Sequence, residues 1–308
     1  MGQLLALCYA IFMGVGNVYA RKGMEDCKID RFSGIFVTLV INNCLNFILL
    51  FIYFLIYGSF SLNFPGVIYN VTAGLLNSFT GRWALFYSMS YIGASRAGIL
   101  KVITPLFAIF GGVFLLKEVI TLQAWLGIIV VLGGVILISI EAREKEGRLA
   151  INRFVGASTT ERKVITVKGI ILGILASLFF AGGNVCRKIS VSYIPNPLLG
   201  VSIGSLVALL SSIIVQLARG KGYELIDSLK SINKSYLFSG ISNSLALYSL
   251  FWSLELTSIS IASSIGASEA LFTIFASMAL LGKKEILNWR VVTGALIVIV
   301  GVVLLITM

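Results

Sequence analysis

Ten long apolar stretches, at about 2–20, 32–57, 67–91, 96–116, 122–140, 169–186, 197–218, 236–254, 259–281 and 289–307, limit this chain to one kind of fold. Lipid offers no partner to a backbone N–H or C=O, so each run must satisfy its own polar groups as a helix. About 20 residues carry a helix across the hydrocarbon core. The fold class expected is therefore an all-α integral membrane protein with ten transmembrane helices, called spans 1 to 10 below. The composition agrees: 12% of the 308 residues are charged, against about 25% in soluble domains, and the mean hydropathy is +0.99. The first stretch has no early basic region and no small-residue cleavage site, so it reads as a retained helix.

Several chemistries fall away at once. The chain has no His, which removes His-based zinc sites and Ser–His or Cys–His nucleophile pairs. Asp26, Asp30 and Asp227 all lie in hydrophilic segments, against a paired-Asp intramembrane protease. Cys8, Cys27, Cys44 and Cys186 show no metal or redox spacing and read as small apolar side chains. An enzyme is not expected, and neither is a cofactor or a metal.

The net charge of +11 is distributed by membrane side and does not point to nucleic acid. The loops after spans 1, 3, 5, 7 and 9 hold 19 Lys and Arg; the loops after spans 2, 4, 6 and 8 hold 3. Basic short loops favour the cytoplasm, so both termini are expected outside it. The multi-pass chain is placed in the plasma membrane. The basic stretch between spans 5 and 6 reads as a cytoplasmic linker near anionic headgroups.

The two halves resemble each other at an offset of about 167. Gly16-Asn17-Val18 with Arg21-Lys22 recurs as Gly183-Asn184-Val185 with Arg187-Lys188, and Leu85-Phe86-Tyr87-Ser88 as Leu250-Phe251-Trp252-Ser253. Leu106–Phe110 recurs at Leu271–Phe275, Lys117-Glu118 at Lys284-Glu285, and Gly127 and Gly134 at Gly294 and Gly301. Five matches in one order indicate a duplication. With five spans per copy, the second copy enters the membrane upside down. Inverted repeats of this kind face each other across a cavity and rock to open it to alternate sides. The units read from the sequence are 1–141, a charged linker at 142–168, and 169–308.

These motifs carry a family resemblance. The stretch from Phe86 to Leu137 with its counterpart from Leu250 to Leu305, and within them Pro105, Glu118, Gly127, Gly134, Glu285, Gly294 and Gly301, resemble the EamA-type proteins of the drug/metabolite transporter superfamily. The resemblance implies efflux or exchange of small metabolites through a central cavity. It also implies cytoplasmic termini, against which the basic-residue count is the opposing reading.

Ionisable groups at membrane depth mark candidate sites. Arg82, near the middle of span 3, suits an anionic group, or else pairs internally or snorkels. Lys101, one turn before Pro105, is a second cationic contact or a snorkelled side chain. Glu269 in span 9 binds a substrate amine, couples transport to a proton, or locks helices by pairing with Arg82 or Lys101. Asn17 and Asn184 hold equivalent positions in spans 1 and 6 and face one cavity or bond helix to helix. Tyr87 and Trp252 are a related aromatic pair that line the cavity or pack elsewhere, and Tyr248 joins a weaker polar set with Asn77 and Asn243. Glu118 and Glu285 read as caps of the helices that follow them. The seven-residue glycine spacing in spans 5 and 10 reads as a packing face.

The resulting expectation is a monomeric secondary transporter whose partners are the lipid bilayer and a small polar substrate. The substrate is anionic or zwitterionic, amino acids included, with a proton or exchanged metabolite as coupling species. A carrier of lipid-linked or amphipathic substrates is the alternative.

Overall fold

The structure, a computed structural model, describes residues 1–27, 31–59, 62–92, 97, 100–151, 159–230, 232–281 and 289–307. Every regular element among them is helical. In chain order these are α1 (Gly2–Cys27), α2 (Arg31–Tyr57), α3 (Phe64–Ala73), a π-helical segment (Gly74–Gly81), α4 (Arg82–Ile92) and α5 (Thr104–Phe114). They continue with α6 (Leu122–Ile151), α7 (Thr159–Val191), α8 (Pro197–Ala218), α9 (Gly222–Lys230), α10 (Lys234–Leu256), α11 (Ile259–Gly266), α12 (Glu269–Leu281) and α13 (Trp289–Ile306). Arg96, Lys284 and Glu285 lie outside the described residues, as does 152–158 of the expected linker; α6 and α7 extend into that linker from its two sides.

The distribution of side chains is the reverse of a soluble protein's. Phe47, Phe51, Leu55 and Ile56 of α2, and Leu296, Ile299 and Val303 of α13, face outward, while Asn42, Asn43, Asn46, Asn70 and many serines are buried. Apolar surface on this scale suits lipid contact. Among the described residues, five helical segments are long and apolar enough to cross a membrane: Gly2–Met24, Ser33–Tyr57, Val167–Val191, Pro197–Ala218 and Ile259–Leu280. Thr104–Phe114, Leu122–Leu137 and Val292–Ile306 are shorter apolar helices. The ten expected spans are thus not matched by ten uninterrupted helices, because several are broken within their length.

Local chemistry explains the breaks. Span 3 is α3, the π segment and α4. Pro65 starts α3, where a missing N–H costs nothing. Gly74 and Gly81 then let the widened turn lie against its neighbours; a Cβ on Gly74 would meet the Gly204 carbonyl oxygen at 2.5 Å. Span 4 is interrupted by a turn at Val102–Ile103, ahead of Pro105, which has no N–H to continue the ladder. Span 9 is interrupted at Ala267–Ser268, between α11 and α12. No proline lies there. Instead Ser264 Oγ donates to Ser260 O at 2.7 Å and Ser268 Oγ to Ile265 O at 2.6 Å, so side-chain hydroxyls compete for the backbone's acceptors. The two breaks occupy corresponding places in the two halves.

Packing follows a pattern of exchange. Span 1 (α1) packs on span 8 (α10) and on both pieces of span 9, while span 6 (α7) packs on span 3 and on α5 of span 4. Span 2 (α2) packs on span 8, and span 7 (α8) packs on span 3. Swapping spans 1–5 with 6–10 turns each pairing into its partner. Three further pairs, α2 with α8, α5 with α11 and α6 with α13, map onto themselves. In the last pair, Gly134 sits where a Cβ would meet the Gly294 carbonyl at 2.8 Å, and Gly301 where it would meet the Val131 N at 2.7 Å. The glycine faces of spans 5 and 10 are pressed together.

Candidate functional site

The two helix breaks place Lys101 and Glu269 side by side. Lys101 stands just before the turn in span 4, and Glu269 is the first residue of α12 after the turn in span 9. Lys101 Nζ pairs with Glu269 Oε1. Glu269 is also favoured by its helix end, an anion at an N-terminus. Tyr9 of α1 donates to Glu269 Oε2 at 3.5 Å, and Lys101 Nζ lies 5.6 Å from the Phe180 ring centroid. Three spans therefore converge on one carboxylate. Of the partners open to Glu269 from sequence, the structure pairs it with Lys101.

A second cation stands beside this pair that the sequence reading assigned to a loop. Arg187 was counted with Lys188 as the end of span 6, but α7 continues to Val191 and buries Arg187 to 4% exposure. Its Nη1 donates to Asn184 Oδ1 at 3.2 Å and its Nη2 to Ser78 Oγ at 3.4 Å. Asn77 Nδ2 also donates to Asn184 Oδ1, at 2.9 Å. The guanidinium lies 5.9 Å from the Phe251 ring. Arg82 is partly buried on the same flank and lines a small recess with Thr38, Asn42, Ser78, Ser205 and Asn243. Arg82 and Arg187 are within electrostatic range of each other and of Tyr9, and Arg82 is within range of Glu269. The recess has room for about one water molecule.

The wall behind the recess is a chain of neutral hydrogen bonds. Tyr248 OH donates to Asn46 Oδ1 at 2.6 Å. Asn46 Nδ2 donates to Asn42 Oδ1 at 3.0 Å and Ser205 Oγ at 2.9 Å, and Asn42 Nδ2 to Ser244 Oγ at 2.8 Å. Spans 2, 7 and 8 are joined by these bonds, so the asparagines of span 2 face inward. In a water-poor interior such a fully bonded network holds its members in one geometry.

Other candidates sit apart from the charged centre. Asn17 is exposed, so it and Asn184 do not meet around one group. Tyr87 accepts from Arg219 Nη2 at 2.7 Å and packs against Trp83, while Trp252 is 50% exposed on α10. Tyr9 and Arg187 are the members that sequence reasoning missed. The signal for Arg187 was the helix stop: apolar residues follow Lys188, and Pro195 and Pro197 come only several residues later.

Toward one end of the molecule, Glu118 and Lys188 fasten the turn between α10 and α11. Lys117 adopts φ 54°, and the Glu118 N–H closes back on Gly112 O at 2.9 Å, a C-terminal cap that usually carries glycine. This aims the Glu118 carboxylate across the molecule, where it accepts from Ile259 N at 2.7 Å, Ser260 N at 3.3 Å and Ser260 Oγ at 2.7 Å. The expectation that Glu118 caps the helix following it is thus corrected: it caps α11, in the other half of the chain. Lys188 Nζ donates to Leu254 O and to Thr257 O at 2.9 Å, covering free carbonyls at the end of α10.

A solved crystal structure is similar to this chain over 98% of its length and 94% of the other chain, with a TM-score of 0.71 and 12% sequence identity. At that identity the likeness concerns the fold alone. No curated protein matches the chain in sequence. The profile of the EamA-like transporter family matches twice, over residues 1–140 and 167–307, so each half carries the family pattern separately. With both halves matched, and with apolar helices enclosing a polar, charged interior, the chain belongs to the EamA-like transporter family, membrane transporters of the drug/metabolite superfamily.

Proposed function

We propose that the protein is a secondary transporter that moves a small polar metabolite, anionic or zwitterionic, across the plasma membrane by alternating access. It does so as a monomer, with ten spans arranged as two inverted five-helix units around a central site. Both termini lie outside the cytoplasm. The exchange pattern of helix packing supports the inverted arrangement, since the main packings of spans 1 and 2 on spans 8 and 9 have counterparts in those of spans 6 and 7 on spans 3 and 4. The orientation rests on basic residues. It is strengthened by the course of α7, which removes Arg187 and Lys188 from the sparse side's loops.

The observation that carries this reading is the Lys101–Glu269 pair at two corresponding helix breaks, with Arg82 and Arg187 beside it. Discontinuous spans facing each other near the centre of a repeat protein are where transporters bind substrate. Arg82, Lys101 and Glu269 then contact the substrate, and Asn184 holds Arg187 in place. Glu269 is the coupling residue: when a proton or a substrate amine replaces Lys101 as its partner, spans 4 and 9 are released from each other.

The test is uptake and counterflow in proteoliposomes with a panel of labelled metabolites. Saturable counterflow of at least one is expected, reduced tenfold or more in Arg82→Ala and in Glu269→Gln. Unchanged counterflow in both variants would refute the site.

A further inference from the structure

Arg187 leaves a charge without a counter-charge. Its bonds run to the neutral oxygens of Asn184 and Ser78. Arg82, which lines the same recess as Ser78, makes no hydrogen bond or ion pair with any described residue. Of the central charged groups, Lys101 and Glu269 neutralise each other. Two guanidinium charges remain, and no described carboxylate is paired with either.

A guanidinium cannot shed its proton in a protein, and an uncompensated charge away from water is strongly unfavourable. Arg187 is buried and Arg82 partly so, and a bound anion is the counter-charge such positions favour. Around Arg82 the recess is lined by Thr38, Asn42, Ser78, Ser205 and Asn243; the Thr38 and Ser205 hydroxyls already donate to protein oxygens, so the guanidinium is the charged donor set there for an oxyanion. Planar guanidinium forks match carboxylate and phosphate oxygens in pairs.

Resting on the transport reading above, and narrowing its substrate class, we infer that the site takes a doubly negative oxyanion, a dicarboxylate or a phosphate monoester, with Arg187 as the preformed anchor and Arg82 as the second contact. One negative charge meets each guanidinium. A neutral zwitterion leaves both arginines uncompensated and is the poorer ligand.

The test measures binding separately from transport. The thermal unfolding midpoint of the detergent-solubilised full-length protein is titrated with matched pairs, succinate against succinamate and glycerol 3-phosphate against glycerol. The doubly charged member is expected to stabilise at a concentration at least tenfold lower; which pair responds identifies carboxylate or phosphate. Arg187→Gln and Arg82→Gln each bring the members of the responding pair level, and Arg187→Lys keeps part of the difference. Arg82→Gln serves where Arg187→Gln does not fold, because Arg82 makes no bond that its loss would leave open. Equal stabilisation within both pairs, or discrimination that survives Arg82→Gln, overturns the inference. Dianion-selective binding without any counterflow overturns the transport reading alone. Counterflow of a zwitterion without dianion preference overturns this inference alone.

Discussion

At the scale of the residue, the Lys101–Glu269 pair is held in a region that excludes most water: the side chains are 27% and 12% exposed. Removing one partner leaves the other's charge unmatched, which costs about 3–5 kcal/mol in a fully buried pair, and about 2 kcal/mol is expected with this much residual exposure. Removing both is far milder. Lys101→Met and Glu269→Gln are each expected to lower the thermal midpoint in detergent, and the double variant to recover most of the loss. A double variant as unstable as the sum of the singles would show that the two side chains act independently. Much of this centre was legible in the sequence, because an acid or base inside an apolar run is conspicuous. Arg187 was not. An Arg-Lys doublet after an apolar run looks like the end of a span, and hydropathy cannot tell an interior cation from a terminal one. Only the bonds to Ser78 and Asn184, from two different helices, distinguish them.

At the scale of the element, the unusual backbone of Lys117 follows from what it positions. A left-handed conformation costs a residue with a Cβ roughly 1 kcal/mol, here in exchange for a turn that sends Glu118 to the start of α11. Lys117→Gly is expected to raise the unfolding midpoint by the equivalent of up to about 1 kcal/mol, and an unchanged or lower midpoint would contradict that account. Glu118→Ala is expected to lose about 1–2 kcal/mol through the uncapped N–H groups of α11. Hydrogen exchange should rise first at Ile259 and Ser260; protection retained there would remove Glu118 from that role. The sequence showed this Glu as a cap, but proximity along the chain suggested the wrong helix. Caps between distant elements leave no local pattern. The broken spans were partly legible for a similar reason: Pro105 signals one turn, whereas the serines around Ala267 signal the other only through side-chain bonds that hydropathy ignores.

At the scale of the whole molecule, the repeated motifs revealed two matched halves. The inward face of span 2 was not readable, since Asn42, Asn43 and Asn46 point to their partners only once spans 7 and 8 are in place. Orientation is tested by a compartment-sensitive reporter fused after the last helix. An external signal is expected, and a cytoplasmic one would reverse the assignment of sides. The glycine-faced pair α6 and α13 offers a test of packing. Gly134→Leu would drive a side chain into the Gly294 carbonyl, and a loss of at least 1–3 kcal/mol is expected from overpacking. Wild-type stability in that variant would mean the seam is looser than described.

The same seam limits how the two halves can shift. Where Gly134 abuts the Gly294 carbonyl and Gly301 the Val131 backbone, the helices meet main chain to main chain, so separating α6 from α13 would open a gap along the seam. In the transport cycle proposed above, a rearrangement around Lys101 and Glu269 is expected to keep this edge shut, like the spine of a book, with the greatest travel in the helices farthest from it.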